Sequence, residues 1–229
     1  MAPKAKVSRP TPVILVHGIL GQRHIYWNIF RRRLAQDGFR VHEVVLPYYM
    51  LGDIRIAARF LADKVEATLV GDNVDKVDLV CHSAGGLVAR YYLKYLKGER
   101  NVAHLVTLGT PHQGTYVSYA LGFPFMGIMK QTRPGSHFLG EVNGPGAVPQ
   151  HIRVTSFWSP IDGIVLPPEN AILAGAHNIK VPWLTHWGFL WNPHVYGLIR
   201  DALLDAHESR AKAQTTLGTY NGTGANGHA

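Results

Sequence analysis

Short apolar runs alternate with helical periods along most of this chain. Val13 to Val16 is the first run, and it ends in His17-Gly18. Phe39 to Leu46 is the second, closed by Pro47, and Val77 to Val80 is the third. His104 to Leu108 is followed by Gly109-Thr110-Pro111, and His151 to Trp158 and Asn178 to Leu184 complete the set. Most of these runs are continuously apolar, which suits strands covered on both faces, as in a parallel sheet.

Helical patterns fill the gaps. Residues 25–37 form the first. Asp53 reads as the N-cap of a second, with Ile54, Ala58, Leu61, Val65 and Leu69 on one face and Gly71 as its end. Ala84 to Leu96 is a third, stopped by Gly98. Asn192-Pro193 supplies a cap and a first-turn proline for a last helix running to about His207. This alternation predicts an α/β fold: a doubly wound, mostly parallel sheet of about six strands with helices on both faces.

Two stretches break the pattern. Residues 115–150 are rich in Gly and Pro and carry no strand signal. A long excursion inside a compact domain is commonly functional. Its apolar part, A-L-G-F-P-F-M-G-I-M, suits an acyl-binding wall or a small flap, and equally a core-packing turn. The organisation expected is a basic flexible terminus at 1–10, one catalytic domain at 11–208 and a disordered tail at 209–229.

Composition narrows the classes. Hydrophobic residues make up 46% and charged residues 17%, a globular balance. A single cysteine excludes an internal disulfide and a cysteine-based zinc cluster. The start, M-A-P-K-A-K-V-S-R-P-T-P, has no apolar h-region, so the expectation is a cytoplasmic protein; the alternative is a secreted one already stripped of its signal. The formal net charge is +8, but the dense basic run, Arg31-Arg32-Arg33, lies within a helical pattern and reads as a solvated face. Nucleic acid is therefore not an expected partner; the alternative to a solvated face is a transient attraction to an anionic lipid surface or to acidic substrates.

The chemistry is concentrated in V-D-L-V-C-H-S-A-G-G-L-V-A-R, Val77 to Arg90. An apolar strand turns into a helix with Ser83 at the corner, as in the nucleophile elbow G-x-S-x-G. Cys81 stands where the first glycine would be. The turn requires smallness there, and cysteine is small; Gly85 fills the later position. A serine hydroxyl needs a base and a group that orients the base. In an open α/β sheet these gather at the carboxyl ends of strands.

In a hydrolase of this architecture the acid follows the serine and precedes the histidine. Between Ser83 and His186 the acids are Glu99, Glu141, Asp162 and Glu169. Asp162 lies just past the fifth strand, and Glu169 is the reserve. Asp162 is also well placed as a turn residue before Gly163. Among His177, His186 and His194, His186 follows the sixth strand in a loop free to aim it. His82 reads as structural. An oxyanion hole would use the backbone N–H groups of Ala84 and of Ile19, after His17-Gly18.

The stretches P-V-I-L-V-H-G-I-L-G, L-V-C-H-S-A-G-G-L-V-A-R-Y-Y, L-V-T-L-G-T-P-H-Q-G-T, P-G-S-H-F-L and I-D-G-I-V resemble those of bacterial small triacylglycerol lipases and esterases of the α/β-hydrolase superfamily. The late H-N-I-K-V-P-W-L-T-H-W-G-F-L belongs to the same likeness, which covers roughly residues 11 to 203. It implies Ser83 as nucleophile, Asp162 as acid, His186 as base, and Ile19 and Ala84 as oxyanion donors. It implies an acyl ester or lipid substrate and no cofactor or metal. Phe123, Phe125, Met126 and Trp187, with Trp158 and Trp183, are candidate walls of an acyl pocket. An acyltransferase or thioesterase with the same triad, or a non-catalytic binding protein on the same fold, are the rival expectations.

Overall fold

A computed structural model describes residues 11–21, 26–120 and 126–206. Its sheet has six parallel strands in the order β2-β1-β3-β4-β5-β6. These are β1 (Val13–Val16), β2 (Val41–Val44), β3 (Val77–His82), β4 (Val102–Leu108), β5 (Arg153–Trp158) and β6 (His177–Lys180). The strands leave the sheet centre in both directions from β1 and β3. Their carboxyl ends therefore gather on one edge, where the chain order switches.

Side chains alternate across each strand and divide the core in two. Ile14 and Val16 of β1 and Leu79 and Cys81 of β3 pack on one face. That face is covered by α2 (Ile54–Asp72) and α3 (Gly85–Tyr95), through residues such as Leu61, Val65 and Leu87. Val13, Leu15 and Val80 point to the other face. Phe30 and Leu34 of α1 (Asn28–Gln36) cover it, with Ile199 and Leu203 of the last helix, residues 193–206. Burial on both faces explains why the strand runs read as continuously apolar.

The helix ends show which local signals governed. Asp53 caps α2 as expected, accepting from the Arg55 N–H at 2.7 Å. Gly71 does not end it; α2 runs to Asp72, and Asn73 closes it in the left-handed conformation at φ 52°. Asn192 caps the last helix, its Oδ1 accepting from the N–H groups of His194 and Val195.

Three strands are shorter than expected, β5 by His151 and Ile152 at its start. β2 loses both ends of the run Phe39 to Leu46. β6 stops at Lys180 rather than Leu184 and leaves a connection that includes the short helix α7 (Gly188–Trp191). Pro182 has no N–H for a sheet ladder, so Val181 and Leu184 reach the core from a loop rather than a strand, while Trp183 turns outward. The excursion carries no strand among its described residues. It holds three short helices, α4 (Val117–Ala120), α5 (Gly127–Gln131) and α6 (His137–Asn143).

Candidate active site

Ser83 stands where β3 becomes α3, with φ at +55°. A serine in this left-handed conformation is strained, and the surrounding bonds hold it there. Its N–H donates to the Leu108 carbonyl at 2.9 Å, and its carbonyl accepts from the Gly86 N–H at 3.1 Å and the Thr110 hydroxyl at 2.8 Å.

The small residues around the elbow make room for specific neighbours. A Cβ at Gly85 would lie 2.6 Å from the Val16 carbonyl oxygen and 2.7 Å from that of His17. Gly85 therefore permits α3 to approach the end of β1. A Cβ at Gly86 would collide with the Thr110 side chain. At Gly18 it would sit 2.7 Å from the Cβ of Ser83 and 3.2 Å from its Oγ, so the loop after β1 lies directly on the serine. Cys81 is fully buried in the core under α3, and burial pushes its thiol well above the ordinary range. It is a small packing residue, held in the unreactive protonated form.

Asp162 and His186 meet deep in the protein, each 3% exposed. Nδ1 of His186 is 2.9 Å from both carboxylate oxygens. A carboxylate here accepts, so Nδ1 carries the proton and Nε2 of the neutral ring is left as a base. Oδ1 of Asp162 also accepts from the N–H groups of Ile164 at 3.0 Å and Val165 at 2.7 Å. The aspartate is thus both a turn former and the partner of the histidine. Gly109, at φ +54°, leaves space for the pair: a Cβ there would lie 2.8 Å from Oδ2 of Asp162 and 3.2 Å from Nδ1 of His186. Glu169 and the histidines His177 and His194 are exposed and take no part in this cluster.

Beside Ser83 lies a cavity of about 50 Å³ lined by Ile19, Ala84, Thr115, Met129, Ile164 and Val165 among others. Ile19 and Ala84 are the two expected oxyanion donors. Among the described residues, no backbone hydrogen bond uses either N–H. A second, larger groove of about 660 Å³ is lined by Leu20, Tyr26, Ile29, Trp187, Leu190 and Trp191.

The candidate pocket walls fare unevenly. Trp187 lines the larger groove. Met126 instead packs against the core cluster beneath α2 and α3. Trp183 is 84% exposed and walls nothing, because the loop after β6 carries it outward. Trp158 lies against the Lys180 ammonium, 5.3 Å from its ring centroid. Phe123 and Phe125 lie outside the described residues.

Tyr26 and His112 were not among the candidate residues, and His82, expected to be structural, ties Tyr26 to the base. Tyr26 hydrogen-bonds to Nδ1 of His82 at 2.5 Å, and His82 reaches the His186 carbonyl at 2.8 Å. Burial, and then electrostatic coupling to neighbouring His186, holds the His82 ring well below the usual imidazole range. His112, in the T-P-H-Q-G-T stretch, joins Thr107, Ser156 and Arg90 in a buried network behind β4. Burial, and then Arg90, likewise lowers His112, while burial pushes Arg90 itself down to about 10. The density of Thr, His and Gly after β4 was the available signal for this network.

Comparison with known proteins bears on the fold and the family. Over 110 residues the chain is 33% identical to a triacylglycerol lipase of Pseudarthrobacter phenanthrenivorans, covering 45% of this chain and 34% of that protein. The chain spans about a third of the length of such curated relatives. The mature form of Bacillus licheniformis lipase BlEst2 superposes with a TM-score of 0.76 at 17% identity, over 87% of this chain and 94% of that one. Aspergillus fumigatus lipase B superposes at 0.72 with 20% identity, over 85% and 52%. These likenesses establish the α/β-hydrolase fold. The family model for palmitoyl protein thioesterase matches residues 12–161, from the first strand to the residue before Asp162, and the chain belongs to that family of α/β-hydrolases.

Proposed function

We propose that this chain is a serine hydrolase that cleaves carboxylic esters of acyl or lipid substrates. The observation that carries the reading is the buried Asp162–His186 pair at the same sheet edge as a serine held in the left-handed elbow conformation. His186, through Nε2, takes the proton of Ser83 as Oγ attacks the acyl carbonyl. Asp162 keeps the ring in the tautomer that allows this and stabilises the imidazolium that forms. The N–H groups of Ile19 and Ala84 receive the developing oxyanion; each such donor contributes about 3–4 kcal/mol in a preorganised site. His186 then protonates the leaving alcohol, an acyl-enzyme remains on Ser83, and water activated by the same ring releases the acid.

The acyl part is assigned to the small cavity, because both oxyanion donors line it. The leaving group must lie within reach of His186, which places the alcohol toward Trp187 and the larger groove. Lipase relatives support an ester substrate, and the family match favours a thioester as second reading. Turnover of p-nitrophenyl esters from short to long chains, set beside the corresponding acyl thioesters, decides between them. Hydrolysis lost in Ser83→Ala is the expected result; equal hydrolysis by that variant would remove the reading.

A further inference from the structure

His82 precedes the elbow serine, and its ring lies against His186, with centroids 4.6 Å apart. Its Nε2 is 2.8 Å from the His186 carbonyl oxygen. A carbonyl only accepts, so Nε2 carries the hydrogen. In a neutral ring Nδ1 is then an acceptor, and the Tyr26 hydroxyl, 2.5 Å away, must donate to it. The tyrosine oxygen in turn lies 3.4 Å from the backbone nitrogen of Gly18, whose N–H donates.

The bonds run in one direction without a surplus proton. Gly18 N–H points to Tyr26, Tyr26 O–H to His82, and His82 N–H to the His186 carbonyl. One end of this chain is the residue before Ile19, packed on the Cβ of Ser83. The other end is the backbone of the base. The His186 N–H is meanwhile held by the Asp162 carbonyl at 2.9 Å, so the histidine backbone is tied on both sides. Tyr26 is fixed by edge contacts to Trp27, His82 and Trp187, at centroid distances of 5.5, 5.6 and 5.8 Å.

We infer that Tyr26 and His82 are positioning residues that hold the Ile19 N–H and the His186 imidazole in register across Ser83. Both act through other residues, His82 through the His186 backbone and Tyr26 through Gly18 and His82, although the Tyr26 ring also lines the larger groove; the inference rests on the hydrolase reading above. Registry matters most in the transition state, when the oxyanion and the imidazolium form together. A small misplacement of either partner lowers turnover more than substrate binding.

The test uses Tyr26→Phe, His82→Gln and their double variant, with kcat and KM for p-nitrophenyl butyrate and Tm for each. Tyr26→Phe keeps the ring and removes the hydroxyl. His82→Gln keeps a donor near the Nε2 position and loses the acceptor that Tyr26 uses. Both break the same link, so each should lower kcat on the order of ten-fold with KM within about two-fold. The double variant should be no worse than either single one. Should the His82 variants fail to fold, Tyr26→Phe alone decides, since its ring packing is retained. Folded variants with kcat within about two-fold of wild type, or with a raised KM alone, would overturn the inference. A wild-type protein that neither turns over esters nor thioesters would instead sink the hydrolase reading.

Discussion

Both carboxylate oxygens of Asp162 lie 2.9 Å from Nδ1 of His186, and the histidine's own N–H donates to the Asp162 carbonyl at 2.9 Å. Side chain and backbone thus fix the same two residues to each other. Asp162→Asn would offer an amide in place of one oxygen. If that amide donates to Nδ1, the ring's hydrogen moves to Nε2 and the base is lost. A fall in kcat of about 10⁴-fold is expected, with Glu169→Gln close to wild type. The reverse pattern in steady-state assays would transfer the acid role to Glu169.

Gly18 lies so close to Ser83 that a methyl group has no place. Gly18→Ala should lower kcat on the order of 100-fold by displacing the serine or the Ile19 N–H. Circular dichroism should still report a folded protein. Unaltered kcat would mean that the loop after β1 moves freely and does not serve as an oxyanion support.

Cys81 lies in the core, and its sulfur fills space below α3. Cys81→Gly should leave kcat near wild type but cost about 1–3 kcal/mol of stability, through lost packing and added backbone freedom. Cys81→Ala should cost less. Urea midpoints and ester turnover measure the two effects separately, and a large loss of kcat in Cys81→Ala would give the thiol a chemical role.

His17, His82 and His112 are buried, and burial lowers all three below the ordinary imidazole range. Their folded state favours the neutral ring, while the unfolded chain takes up protons near pH 6.5. The stability they contribute is present above that pH and is lost as pH falls below it toward the folded values. Urea midpoints should therefore drop between pH 7.5 and 5.5. A midpoint that rises over this interval contradicts the assignment of neutral rings.

Much of the fold was legible because strand and helix periods are local. The runs from Val13 and from Val77 became β1 and β3, and the capping residues Asp53 and Asn192 stand where they were expected. The site was legible as far as chain order and strand ends could carry it, bringing Asp162 and His186 together. What escaped was long-range. Tyr26 meets His82 across 56 residues, and His82 meets His186 across 104. No periodicity encodes such pairs. Nor does position in sequence reveal which way an aromatic points: Trp183 and Trp187 sit in one loop, yet Trp183 stands out in solvent while Trp187 lines the groove.

The central claim is that Ser83 is an activated nucleophile. Incubating the folded protein with an alkyl phosphonate ester and mapping the adduct by mass spectrometry tests it most directly. A single covalent adduct on Ser83 is expected, with loss of ester turnover in step with labelling and no adduct in Ser83→Ala or His186→Ala. Folded wild-type protein that remains unlabelled, or that is labelled on another residue, would contradict it.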